Sequence, residues 1–192
     1  MASTTVPDRL LTAEEFLALP DDPKVERVLI RGRVVEVPMT RRSFPHSSTE
    51  ARLAYLLSAW QRKSAGLWIV ASGEAGCYLR RRPDTIVGID AAVFPRDAAP
   101  TDEDKSNLFS SPPLLAVEIL SSSDTVELVQ DKVTNYLSCG VPLVWIVDPH
   151  FRTVVVHRPD AAPEMFSGDE ELSGDPHLPG LRVAVKEVFA DL

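Results

Sequence analysis

Apolar residues along the chain fall into short runs of strand length, and two longer stretches repeat with helical spacing. Such runs predict strands, and apolar positions at i, i+3, i+4 and i+7 predict amphipathic helices. The expected helices begin at Thr12, span 47–63 and 124–139, and include a short one near the C-terminus. The expected strands are 26–30, 33–37, 67–71, 76–79, 85–94, 114–120, 142–147, 153–157 and 181–185. The pattern therefore predicts a mixed α/β fold.

The ends of the predicted elements carry residues that such ends favour. Thr12 as N-cap and Glu15 three residues later form the pattern of a capping box. Arg31-Gly32 between two apolar runs indicates a hairpin. Asp124 as N-cap, with Glu127 three residues on, indicates the start of the second long helix.

The length of 192 residues suits one domain, which we expect to cover residues 1–192 with a core of about 24–158. None of the apolar runs approaches the roughly 20 residues that a membrane-spanning helix needs. The first eight residues have neither a basic n-region nor an apolar h-region. We therefore expect a cytoplasmic protein with no membrane partner.

Two acidic residues stand inside runs that otherwise predict strands buried on both faces. They are Asp90, within 85–94, and Glu118, within 114–120. A buried ionised carboxylate costs several kcal/mol unless a cation or hydrogen-bond donors meet it. If the two strands are neighbours, both carboxylates can point at one divalent ion, and hard oxygen ligands suit Mg²⁺ or Mn²⁺. Each acid alone could equally be satisfied by backbone N–H groups or by an arginine.

Lys132 lies beside the apolar stripe of the helix predicted over 124–139. At about 100° per residue it falls about 60° from Val129 and next to Tyr136. The lysine could extend past the margin of the stripe into solvent, as such residues usually do. If it points inward, its ammonium group would meet the two acids and could orient a water nucleophile or stabilise charge on a phosphate.

Three further polar residues near these strands need an assignment. His46, at the start of the long helix, and Glu74, between Gly73 and Gly76, are secondary site candidates. His46 could instead cap or pack against its helix, and Glu74 could be a turn residue. Asp84 follows a proline, but it lies in a loop beside three arginines, so we assign it to a turn rather than to the site.

The net charge of −8 is unevenly distributed. Residues 1–90 contain 13 Lys and Arg against 11 Asp and Glu, whereas residues 91–192 contain 7 against 17. The arginines occur in clusters at 31 and 33, 41–42 and 80–82. Because screening confines charge effects to about 10 Å, such a cluster could bind phosphate even on an acidic protein, or could simply be a solvated loop.

Several motifs together resemble a known family. They are Gly88-Ile-Asp90, the segments 115–125 and 132–149, the segment 28–34, His46, and Gly73-Glu-Ala-Gly76. These closely resemble the Uma2 family of restriction-endonuclease-type proteins, within the PD-(D/E)XK nuclease superfamily, over nearly the whole chain. Two positions depart from the pattern: Ile89 replaces a common proline, and Leu120 stands where the superfamily has a lysine.

The resemblance implies a restriction-endonuclease-like mixed β-sheet flanked by helices. It implies a metal-dependent DNA endonuclease in which Asp90 and Glu118 hold Mg²⁺ or Mn²⁺ and Lys132, from the following helix, supplies the lysine. Nucleases of this superfamily often act as twofold dimers, so we expect a homodimer. Two alternatives stay open: a catalytically silent nuclease fold that binds DNA or a protein partner, and an enzyme acting on RNA or structured DNA.

Overall fold

The computed structural model describes residues 9–38, 41–64 and 66–192; the N-terminal segment 1–8 lies outside these ranges. The helices are α1 (Ala13–Leu17), α2 (Phe44–Gln61), α3 (Val126–Ser138) and α4 (Val185–Val188), with a 3₁₀ turn at Arg96–Ala98. The strands are β1 (Val25–Ile30), β2 (Arg33–Pro38), β3 (Trp68–Ser72), β4 (Cys77–Arg80), β5 (Thr85–Val87), β6 (Ala91–Pro95), β7 (Leu115–Ile119), β8 (Val144–Asp148), β9 (Thr153–His157), β10 (Glu164–Ser167), β11 (Glu171–Ser173) and β12 (Arg182–Ala184).

The strands form three sheets. Six strands make the largest, in the order β10-β9-β8-β7-β6-β3, in which β7 and β8 are parallel and the other neighbours are antiparallel. Four strands make a second sheet, in the order β2-β1-β5-β4, and β11 pairs with β12 in a third. The predicted mixed α/β architecture is thus present. Among the described residues, no helix is both long and apolar enough to cross a bilayer.

The six-stranded sheet has a hydrophobic cluster on each face, because side chains alternate along a strand. The odd-numbered residues of β6 and β7 pack with Leu53 and Leu57 of α2, and seven buried residues between 172 and 189 join this cluster. The even-numbered apolar residues of β6 and β7 pack with Val133 and Tyr136 of α3. An acid at an even position of these strands therefore faces α3.

The strand predicted over 85–94 is wrong as a single strand. The chain leaves the four-stranded sheet after Val87 and enters the six-stranded sheet at Ala91, so Asp90 stands at the crossing rather than in mid-strand. The carbonyls of Ile89 and Asp90 accept hydrogen bonds from the connection between β3 and β4, at 2.9 and 3.0 Å. Apart from half-buried Gly88, the whole segment is buried, which explains why its apolar pattern looks continuous.

Two predicted helix starts also differ from the structure. Asp124 is not the N-cap of α3: the Thr125 side chain accepts the capping hydrogen bond from Leu128 N–H, and Asp124 accepts from Ser121 instead. The helix predicted over 47–63 begins earlier, at Phe44, because Ser43 provides its N-cap. The capping box at Thr12 and Glu15 and the hairpin around Arg31-Gly32 are confirmed.

Candidate functional site

Asp90 and Glu118 lie at the same place in the large sheet. Strand β6 pairs antiparallel with β7, with Ala91 opposite Val117. Extending that register by one residue places Asp90 opposite Glu118, and both carboxylates face α3. The two residues are only 5% and 4% exposed. The two strands are neighbours, which is the condition under which both carboxylates could point at one ion, and the two buried acids lie on the helix-facing side of the sheet.

The Asp90 carboxylate is fixed from the sheet and faces two cationic or ionisable side chains. Its Oδ2 accepts a hydrogen bond of 2.7 Å from the backbone N–H of Ile119. Its Oδ1 lies 3.4 Å from His46 Nε2 and 3.8 Å from Arg42 Nη2. Burial raises the pKa of Asp90, but His46, the Ile119 N–H and Arg42 together outweigh burial and hold that pKa below its usual value. Asp90 is therefore maintained as an anion.

Glu118 has a different electrostatic environment. Its Oε2 accepts a hydrogen bond of 2.5 Å from Lys132 Nζ, and its Oε1 accepts one from the Tyr136 hydroxyl. Burial raises the pKa of Glu118, Lys132 and Tyr136 lower it, and repulsion from Asp90 adds to the rise, so the net shift is upward. The two acids thus repel each other across the strand pair, and their pKa values shift in opposite directions: that of Asp90 is lowered and that of Glu118 is raised.

Lys132 points inward, which is one of the two orientations that the sequence allowed. Its side chain is 48% exposed, because the alkyl stem runs along the protein surface while the ammonium group reaches the buried Glu118 carboxylate. Burial of the ammonium lowers the pKa of Lys132, whereas attraction to Glu118 and Asp90 raises it by a larger amount, so the net shift is upward. Lys132 therefore carries a positive charge at the floor of the site.

Glu74 forms the outer part of the site with Arg42. The two side chains form an ion pair, and Arg42 Nη2 also lies 3.8 Å from both Glu26 Oε2 and Asp90 Oδ1. Glu74 has a φ of +59°, in the left-handed region that non-glycine residues rarely adopt. A Cβ at Gly88 would lie 2.8 Å from Glu74 Oε2, so glycine at this position allows Glu74 to approach the crossing segment.

His46 lies beside Asp90 but is not bonded to it. Its side chain is fully buried at the start of α2, and neither ring nitrogen makes a hydrogen bond within the described residues. Nδ1 lies 3.9 Å from Glu50 Oε2, while Glu50 Oε1 accepts a hydrogen bond of 2.7 Å from Gly73 N–H. The structure thus places His46 next to Asp90, whereas Glu74 lies farther from Asp90, on the other side of Arg42.

Arg42, Glu74, Lys132 and Tyr136 line a cleft of about 260 Å³ between the β1–β2 hairpin and α3, and the buried acids that they contact lie behind this lining. Apolar side chains of the hairpin form one wall, and α3 contributes the opposite wall. The lining includes Val28, Ile30, Val35, Val37, Leu128, Asn135, Tyr136, four acids (Glu26, Glu74, Asp124 and Asp131) and two cations (Arg42 and Lys132). Within 9–38, 41–64 and 66–192, no three His, Cys, Asp or Glu side chains are arranged to hold a metal ion together. Any cation at this site would therefore depend on the two buried carboxylates.

Tyr136 and Arg42 contact the buried acids, although the sequence did not identify either as a site residue. Tyr136 was expected only in the apolar stripe of α3, and its ring is indeed buried there with its hydroxyl on Glu118. An aromatic ring at the centre of a helical stripe looks the same in sequence whether or not its hydroxyl has a partner. Asp84, by contrast, is the turn residue that was expected: its carboxylate accepts from the backbone N–H groups of Arg82 and Ala13.

Replacing Tyr136 by Phe is expected to lower the free energy of unfolding by about 1 to 3 kcal/mol, because a buried carboxylate oxygen loses its donor. Urea denaturation in chelator measures this change. Tyr55, which is 57% exposed on α2, offers the matched control, and Tyr55→Phe should change stability by no more than about 0.5 kcal/mol. Equal, small effects of both substitutions would show that the Tyr136 hydroxyl does not support Glu118.

Comparison with known proteins agrees with the fold. A sequence model of the family described as "Uma2: Putative restriction endonuclease" matches residues 13–186. The crystal structure of "a putative nuclease belonging to DUF820" from Anabaena variabilis has a TM-score of 0.77 to this chain. That match covers 94% of this chain and 98% of the other, at 24% sequence identity. No curated protein matches the chain. The structural likeness confirms the predicted fold class.

Proposed function

The chain belongs to the Uma2 family, and we propose that it is a metal-dependent endonuclease that hydrolyses phosphodiester bonds of DNA. One observation supports this function above all others. Two buried carboxylates, Asp90 and Glu118, lie opposite each other on paired strands, and the Lys132 ammonium group donates to Glu118 at the floor of an open cleft. A purely structural ion pair would need one carboxylate, whereas this arrangement holds two that repel each other.

The donor set fits Mg²⁺ or Mn²⁺. Both ions prefer oxygen ligands, and Mg²⁺ is usually held by one or two carboxylates together with water and substrate phosphate. Asp90 and Glu118 would be its protein ligands, and a cation would offset the burial and the repulsion from Asp90 that together raise the pKa of Glu118. The ion would supply Lewis-acid stabilisation of the negative charge that develops on the phosphate.

The surrounding residues would orient these groups. Ile119 N–H fixes one oxygen of Asp90, and the Tyr136 hydroxyl fixes one oxygen of Glu118. Lys132 would place its positive charge beside the attacked phosphorus, where it can orient the water and stabilise the phosphate oxygens. The water oxygen would bond to phosphorus as the bond to the leaving sugar oxygen breaks. Arg42, which pairs with Glu74 and lies 3.8 Å from Asp90 Oδ1, would reduce the net negative charge of the site.

Cleavage assays with the wild-type protein test this function. Plasmid, linear duplex and single-stranded DNA, together with RNA, should be incubated with Mg²⁺ or Mn²⁺ and, in parallel, with excess chelator. We expect cleavage of DNA only with metal. Cleavage of RNA alone would show that the substrate is RNA rather than DNA. Binding without cleavage of any substrate would favour the catalytically silent alternative.

We also propose that the protein acts as a homodimer, because cutting both strands of a duplex requires two sites and nuclease dimers supply them by twofold symmetry. Light scattering at working concentration should give about twice the mass of the 21.1 kDa chain. A monomer under the same conditions would contradict the dimer but leave the single-site chemistry unaffected.

A further inference from the structure

Two arginine-bearing turns pack against each other next to the cleft. Arg31 lies in the β1–β2 turn and Arg33 begins β2, while Arg80 ends β4 and Arg81 and Arg82 lie in the β4–β5 turn. Gly32 N–H donates to the Asp84 carbonyl at 2.7 Å, and Arg31 N–H donates to Thr85 Oγ1 at 3.0 Å. Asp84 uses its carboxylate on backbone N–H groups inside this junction. The two basic turns are therefore one fixed surface.

Three arginines of this surface are exposed and have no acidic partner within ion-pair distance. Arg31, Arg33 and Arg82 are exposed, and within the described part of the chain none of them has a carboxylate oxygen within 4.0 Å. Arg81 differs, because its guanidinium lies 3.3 Å from the centroid of the Tyr78 ring, which packs with α1 on the side of the sheet away from the cleft. Its charge also adds to the Ser106 hydrogen bonds in lowering the pKa of Asp104. The charges of Arg31, Arg33 and Arg82 are thus available to a ligand.

Two of these arginines occupy backbone positions that favour other residues. Arg31 and Arg82 have φ values of +50° and +56°, where glycine or asparagine would fit with less strain. Residues held in such conformations often serve a function through their side chains. The strain of the two turns is consistent with a role for the guanidinium groups themselves.

The arginine surface continues the lining of the cleft. Arg33 pairs with Ile30, and Val28 pairs with Val35, in the hairpin whose Val28, Ile30, Val35 and Val37 side chains line the cleft. By the alternation of a strand, Arg33 shares the cleft-facing side of β2 with Val35 and Val37. On the other wall, Arg80 Nη2 donates to the Ser138 carbonyl at the end of α3, at 2.6 Å. The β1–β2 turn therefore lies at the Ile30 end of the cleft, and Arg80 holds the start of the β4–β5 turn against the C-terminal end of α3.

We propose that Arg31, Arg33 and Arg82 form a phosphate-binding platform that holds the backbone of the nucleic-acid substrate where it leaves the cleft. This inference rests on the proposed nuclease function and identifies how a protein of net charge −8 binds a polyanion. The cleft itself is lined by four acids and two cations and offers little attraction to a strand. The platform would attract the nucleic-acid backbone, and hydrolysis would take place at the cleft.

Salt dependence of DNA binding tests the platform separately from cleavage. Binding of wild type to a labelled duplex is measured in chelator at several salt concentrations. The comparison is with the variant Arg31→Gln/Arg33→Gln/Arg82→Gln. Each phosphate contact contributes about 0.9 to the slope of log K against log salt, so loss of three contacts should reduce the slope by about 2 to 3. Arg80 is left unchanged because it holds Ser138.

Two matched variants distinguish charge at this place from charge in general. Replacing all three arginines by lysine keeps the charge and should retain most of the slope. Arg62→Gln/Lys63→Gln removes two exposed charges at the far end of α2, about 24 Å along the helix axis from His46, and should leave the slope nearly unchanged. Equal melting temperatures would show that all variants are folded.

The possible outcomes test the platform independently of the proposed nuclease activity. Wild-type affinity and slope in the three-glutamine variant would overturn the platform, even if wild type cuts DNA. The platform would also be overturned if wild type did not bind DNA, or if the slope fell as much in the lysine variant as in the glutamine variant. A reduced slope in the glutamine variant alone would support the platform even if no metal elicited cleavage, in which case only the proposed hydrolysis would fail.

Discussion

Replacing Lys132 by Met is expected to reduce the rate of DNA cleavage by about 10²- to 10³-fold, the usual loss when one stabiliser of developing charge is removed. The Lys132 ammonium lies 2.5 Å from Glu118 Oε2, so the substitution removes the positive charge at the floor of the cleft. The rise in melting temperature caused by Mn²⁺ should remain largely intact, because the two acids and not the amine would hold the ion. Single-turnover cleavage and thermal melting measure the two effects.

Two further variants sharpen this result. Lys132→Arg should recover only part of the activity, because a planar guanidinium group does not reproduce a compact ammonium group. Lys186 pairs with Asp169 on the surface at 2.6 Å, and Lys186→Met should cut DNA as wild type does. If Lys132→Met also cut DNA as wild type does, the lysine would have no part in catalysis, although the two-acid site could still stand.

The second large effect concerns the metal. At a Mn²⁺ concentration of about 100 times Kd, binding should stabilise the folded state by about 2.7 kcal/mol. For a chain of this size that corresponds to a rise in melting temperature of about 5 to 11 °C. Asp90→Asn combined with Glu118→Gln should abolish the rise, because both carboxylate ligands are lost.

In chelator the same double variant should be at least as stable as wild type. Burial is the main cause of the raised pKa of Glu118, and repulsion from Asp90 adds to it; the amides remove both the buried charges and that repulsion. The control is Glu26→Gln/Asp124→Asn, which changes two acids in the lining of the cleft but leaves the buried pair in place. Equal Mn²⁺ stabilisation of the Asp90/Glu118 variant and wild type would place the metal elsewhere.

The buried acids could be predicted because each interrupts an apolar run, and the cost of burying a carboxylate makes such an interruption informative. The sequence did not determine the direction of Lys132, because a lysine at the margin of a stripe can turn either way. Only the packing of α3 on β7 shows that its ammonium meets Glu118. Tyr136 was missed for a related reason, since its hydroxyl partner comes from a different element.

Tertiary pairing also explains what the strand pattern could not show. Residues 85–94 are almost entirely buried, so their apolar composition gives no sign that the chain changes sheets at Gly88. The change depends on hydrogen bonds from Gly73 and Ala75, whose positions follow from the β3–β4 connection. Likewise, the arginine clusters at 31–33 and 80–82 are visible in the sequence, but their junction through Gly32 and Asp84 is long-range.

Cleavage of plasmid DNA by wild type and by Asp90→Ala, purified in the same way and assayed with Mg²⁺ or Mn²⁺, tests the central proposal most directly. Asp131→Ala serves as the matched control, because Asp131 lines the cleft but is exposed and lies away from the buried pair. We expect wild type and Asp131→Ala to nick the plasmid and Asp90→Ala to leave it intact. Equal cleavage by all three proteins would contradict a nuclease site at Asp90 and Glu118.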